Sequence, residues 1–267
     1  MGQGSRRIRK RRRAKQAIAG IMEMPEQVIV IHYSCESFYD RPDGSSPRIT
    51  SIAVRYLDSG QTTSFSIHQV AEREGYDLVS LESHYNQLER LMLDDFYDFV
   101  KTHQRLKWLH WNMRDSHFGF SAISHRYRTL KGQPIDIENS RLYDLSRLLI
   151  DIYGVDYIGH RRLENLVKRN NMTAKDFLNG EEEAVAFDSK DYVKLHFSTL
   201  RKVDVLAGIV ERADNDSLQT NANWIGIYGS YPQAVFEFVQ ERWWIAAIVA
   251  VIAILSDIFG IIDFWPR

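Results

Sequence analysis

From Trp243 to Leu255 the chain reads Trp-Trp-Ile-Ala-Ala-Ile-Val-Ala-Val-Ile-Ala-Ile-Leu, and the apolar run continues through Ile258, Phe259, Ile261, Ile262 and Phe264 to Trp265. A helix rising about 1.5 Å per residue crosses the hydrocarbon of a bilayer in roughly 20 residues. The paired tryptophans at one end and Trp265 at the other match an interfacial belt. A transmembrane helix within 241–267 is therefore expected, the alternative being a buried core helix. Two acids interrupt the run, Asp257 and Asp263. A carboxylate facing lipid costs about 2.5 to 3.5 kcal/mol even on the lenient scale. If several copies assemble, the two acids line a cation pathway, which predicts a homo-oligomer with a pore.

Charge divides the remaining chain. Arg6, Arg7, Arg9, Lys10, Arg11, Arg12, Arg13 and Lys15 precede the first acidic residue, Glu23. Setting these eight aside from 34 basic residues leaves 26 against 35 acidic ones. Such a basic arm (1–22) can contact nucleic acid, anionic lipid or its own acidic body. The single cysteine, Cys35, excludes an intrachain disulfide. No signal peptide is visible, so the expected placement is single-pass in a bacterial inner membrane with the body in the cytoplasm.

The body, 23–220, followed by a juxtamembrane segment 221–240, carries mixed periodicities. Gln27 to Ile31 suits a buried strand, and the alternation of Ile52, Val54 and Tyr56, then Thr63, Phe65 and Ile67, around Asp58-Ser59-Gly60 predicts a hairpin. Leu81, Tyr85, Leu88, Met92, Phe96 and Phe99 recur at helical spacing. A strand is expected over Leu106 to His110 and a helix from about Ser116 to Gly132. Further helices are expected from Tyr143 to Tyr153, near Ile158 to Asn165, from a cap at Thr173 with Asp176 to a stop at Asn179-Gly180, and along Val193 to Val210.

This order, with three segments in sequence, resembles DEDDh-type exonucleases of the ribonuclease H-like superfamily over roughly Gln27 to Leu178. The resemblance implies an α/β body with a helical extension. In that family a first strand ends in Asp-x-Glu, whose carboxylates hold divalent metals; here the positions are Ser34 and Glu36. The second motif resembles Asn112 to Asp115, and the third, His-x-x-x-x-Asp, resembles His160 followed by Asn165. Two of four carboxylates are replaced, so no catalytic residue, metal or other cofactor is expected. A groove for a single strand of nucleic acid survives in that reading. Arg114, Arg161, Arg162, Lys168 and Arg169 would contact phosphates, while Trp108, Trp111 and Tyr157 would stack on bases.

A degenerate exonuclease-like body joined to an oligomerising span looks like membrane effectors of bacterial anti-phage systems, most closely the Hailong protein A type. That resemblance implies an ion channel, a tetramer, controlled by a DNA oligomer that a partner nucleotidyltransferase makes. Two other readings stay open. One is a tethered, active 3'-5' exonuclease using Glu36, Asp115 and His160 with Asp136 or Asp156. The other is a tail-anchored adaptor whose span only localises it.

Overall fold

The computed structural model describes residues 3–36, 46–77, 80–114, 118–223 and 227–228. The expected span at 241–267, with Asp257 and Asp263, and the motif residue Asp115 lie outside the described residues. Among the described residues no helix is long and apolar enough to cross a membrane.

Five strands form one mixed sheet in the order β3-β2-β1-β4-β5. They are β1 Val28–Cys35, β2 Ile49–Tyr56, β3 Thr62–Ser66, β4 Lys107–His110 and β5 Leu142–Asp144. The hairpin β2–β3 joins β1 antiparallel, with Ile31 opposite Val54, whereas β4 and β5 run parallel to β1, with Ile31 opposite His110. Order and sense make this the mixed sheet of an α/β fold. All eight residues of β1 are buried because both sheet faces are covered. Its side chains divide by the period of two. Ile29, Ile31, Tyr33 and Cys35 join the cluster containing Leu88, Met92 and Phe96, while Val28 and Val30 meet Leu149, Val203 and Leu206.

Eight α-helices surround the sheet among the described residues: α1 Gln3–Met22, α2 Ile67–Arg73, α3 Tyr85–His103, α4 Phe120–Thr129, α5 Leu145–Tyr153, α6 Arg162–Arg169, α7 Gly180–Asp188 and α8 Tyr192–Asp214. Of the expected stripe, Tyr85, Leu88, Met92 and Phe96 are buried on α3 and Phe99 is partly buried, and the buried face contains a charge as well. Glu89 is fully buried, accepts two bonds of 3.0 Å from Arg126 Nε and accepts the Ile49 amide at 2.7 Å, tying α3 to α4 and β2.

Several local readings change in the fold. Tyr143 lies in β5 and not in a helix, because Asp144 caps α5 by accepting the Arg147 amide at 3.3 Å. Asn179-Gly180 opens a helix instead of closing one. The Asn179 side chain accepts the Glu181 and Glu182 amides, and the Glu182 carboxylate accepts the Asn179 amide in turn, a reciprocal box that starts α7. The stretch from Thr173 to Leu178 forms turns, with Asp176 at a φ of 66°. The basic segment is a helix seated on the body, with Ala14, Ile18 and Ile21 buried against α5 and α8.

Candidate nucleic-acid interface

Parallel strands direct ligands to the crevice at their carboxyl ends, and the motif residues lie there on β1 and after β4. A cleft of about 540 Å³ opens at this edge, lined by Cys35, Trp111, Arg161, Arg162, Glu164, Phe177, Glu181, Glu183 and Lys202 among others. The fold thus gathers Trp111, Arg161 and Arg162 from distant segments and sets them beside the end of β1.

Ser34 is buried at the base of this region. Its Oγ lies 3.4 Å from Glu183 Oε1, and its carbonyl accepts the Thr50 hydroxyl at 3.0 Å. The same Glu183 oxygen accepts Ser198 Oγ at 3.0 Å and meets Lys202 Nζ at 2.7 Å. Glu183 and Lys202 are both buried, with side-chain exposures of 6% and 8%. Burial, and then the Lys202 ammonium, hold the neighbouring His32 imidazole well below its ordinary range. Burial, reinforced by Glu183, Glu36 and Glu89, pushes the Cys35 thiol up, so it supplies no thiolate at neutral pH. Neither Glu183 nor Lys202 stood out in the sequence. Glu183 is one of three consecutive glutamates, and only helix phase separates it from its exposed neighbours.

The other expected residues divide into groups. Glu36 is bonded to Arg48 through the guanidinium at 3.4 Å and the backbone amide at 3.3 Å, and Arg48 also pairs with Glu82 at 3.2 Å. Asn112, in the left-handed region with φ 54°, donates its amide to Asp144 Oδ1 at 3.1 Å. Arg114 forms an ion pair with Asp144 and donates to Asn112 Oδ1 at 3.3 Å. Asp144, which sequence reasoning missed, was visible only as a possible cap before an apolar helix. It sits with His110 and Arg114 on a separate cavity of about 620 Å³ that is also lined by Phe120, Arg128 and Asp136. Burial pushes His110 down to about 4, against the opposing pull of Asp144 and with a further push from Arg114.

At the third motif His160 is exposed, and its carbonyl accepts Asn165 Nδ2 at 2.6 Å, so Asn165 secures the local turn. Arg161 pairs with Glu181, Arg162 donates to the Val155 carbonyl at 3.2 Å, and Lys168 meets Glu164 at 2.6 Å. Trp108 and Tyr157 are fully buried, which removes them as base-stacking surfaces; Trp111 is half-exposed.

The family resemblance implies a divalent-metal centre, and the described residues do not fit one. Among the described residues no three His, Cys, Asp or Glu side chains are placed to hold a metal ion. The first carboxylate position is the neutral Ser34, and the acid nearest it, Glu183, is already neutralised by an ammonium.

No protein-family model and no curated protein matches the chain. Among solved structures, the family B DNA polymerase from the hyperthermophilic archaeon Pyrobaculum calidifontis is similar, with 17% identity and a TM-score of 0.48. The alignment covers 69% of this chain and 24% of the polymerase. The class that the strand order and sense define is an α/β protein built on a mixed five-stranded sheet.

Proposed function

We propose that this chain binds a single-stranded DNA oligomer without cleaving it, and that binding controls a membrane pore formed by its C-terminal segment. The observation that carries the first half is the buried Lys202–Glu183 pair bonded to Ser34. A fixed ammonium there neutralises Glu183 and opposes a second cation by like-charge repulsion. Trp111 supplies an aromatic face, and Arg161 and Arg162 supply phosphate contacts at the cleft mouth. The second half rests on the apolar run Trp243 to Leu255 with Asp257 and Asp263 beyond it. In this reading copies assemble through their spans, a tetramer being the expected state. A partner nucleotidyltransferase supplies the oligomer, and its loss or gain shifts a closed–open equilibrium during anti-phage defence.

The test is to purify the full chain in detergent, extract any nucleic acid it carries, and incubate protein and short single strands with magnesium or manganese. Retained, intact oligonucleotide is the expected result. Affinity should fall as salt rises, with a log–log slope of about −0.7 per phosphate contacted, and Arg161→Glu should weaken it. Metal-dependent degradation would revive the exonuclease reading, and no binding at low salt would leave the adaptor.

A further inference from the structure

The eight cations of α1 are not equivalent in the fold. Arg7 donates to the carbonyls of Ile150, Asp151 and Ile152, the closest at 2.6 Å, and so caps the carboxyl end of α5. Arg11 is buried with its guanidinium 4.7 Å from the centre of the Tyr228 ring, and Lys15 pairs with Asp216 at 3.0 Å. These three fasten the helix along the side that buries Ala14, Ile18 and Ile21. Arg6 and Arg13 are exposed on the outer side, about two helical turns apart and so on one face. No acid occurs anywhere in the helix.

Position decides what this face meets. Lys107, the first residue of β4, donates to the Gly20 carbonyl of α1 at 2.7 Å. Arg7 holds the last turn of α5, which runs back from the carboxyl end of β5. Both contacts set α1 toward the amino ends of the parallel strands, the opposite end from the cleft. Tyr228, beneath Arg11, lies at this same end and precedes the apolar run in sequence.

We infer that the outer face of α1 docks on the anionic headgroups of the membrane into which the C-terminal segment inserts, holding the cleft away from the bilayer. The inference rests on reading Trp243 to Leu255 as a span. A nucleic-acid contact is disfavoured because a strand seated in the cleft lies at the other end of the sheet. Charge complementarity supplies the rest: basic residues near an anionic leaflet each add attraction that decays within a Debye length.

The experiment reconstitutes the full chain carrying Gln16→Cys, spin-labelled on the exposed side of α1, in vesicles of phosphatidylcholine alone or with phosphatidylglycerol. Cys35 is buried, so the label reports on α1. Flotation reports insertion independently. The expected result is flotation in both lipids, with the label at the lipid–water interface only in anionic vesicles. Raised salt should abolish this, and Arg6→Gln or Arg13→Gln should each reduce the interfacial fraction about fivefold. Flotation with a label indifferent to headgroup charge would overturn the α1 inference alone. A label that responds to added DNA in place of anionic lipid would overturn it in favour of a nucleic-acid face. Failure to float would overturn the span reading and this inference with it.

Discussion

Lys202 is the residue on which the chemistry turns, because its ammonium is buried and meets one oxygen that two serines also engage. Removing one partner of a buried ion pair leaves the other charge uncompensated, whereas replacing both with apolar or neutral groups is often tolerated. Lys202→Met should therefore cost about 3–5 kcal/mol, and Lys202→Met with Glu183→Gln should recover most of it. Equilibrium urea unfolding of the three proteins measures this; equal losses in single and double variants would deny the pair its role. The buried imidazoles set a second expectation. Burial, then the charge of nearby His68, pushes His196 down to about 4, and His110 lies as low. With folded values below the ordinary 6.5, the unfolded chain takes up protons first. Stability is then full above about pH 6.5 and is lost as pH falls toward 4. Unfolding midpoints between about pH 6.5 and 5 lie above most carboxylate titrations and should show this slope, shallower in His196→Phe. An unaltered slope in that variant would place the proton uptake elsewhere.

At the scale of elements, α7 positions Glu183, and its start depends on a reciprocal pair of side-chain bonds between Asn179 and Glu182. Asn179→Ala should cost about 1 kcal/mol, seen as a lower thermal midpoint, with a larger loss of oligonucleotide affinity than an exposed α7 change such as Val185→Ala. Equal affinities would mean that the frayed end leaves the cleft intact. Elements with a local apolar pattern were legible in the sequence: β1 as a short apolar run, the β2–β3 hairpin by a period of two, and α3 and α8 by a period of about 3.6. β5 was hidden because three residues give no period, and only parallel pairing to β4 makes them a strand. The Asn-Gly pair before α7 was ambiguous since the same residues end helices and begin them; Glu182 at the third helical position was the signal that settles it.

For the whole molecule, the proposal joins a cleft at one end of the sheet to a span beyond the other. Asp257 and Asp263 belong to the second half. Asp257→Asn is expected to lower cation selectivity in planar-bilayer recordings of the full chain and to reduce toxicity on expression, while leaving oligonucleotide affinity unchanged. Unaltered conductance and toxicity would favour an anchor over a pore. Sequence alone determined the features that neighbouring residues impose on one another: a buried strand, the amphipathic stripes, the cationic N-terminal segment and an apolar run long enough for a bilayer. It also marked Ser34 and Asn165 as neutral residues where the resembling family has carboxylates. Only the tertiary structure decided that Glu36 turns to Arg48, that Arg114 is held by Asp144, and that Lys202 meets Glu183 beside Ser34. It also decided that α1 seats on α5 and α8. The reason is physical: periodicity arises from the rise and turn of a local backbone, whereas an ion pair joins side chains from separate elements and exists only once the sheet has brought those elements together.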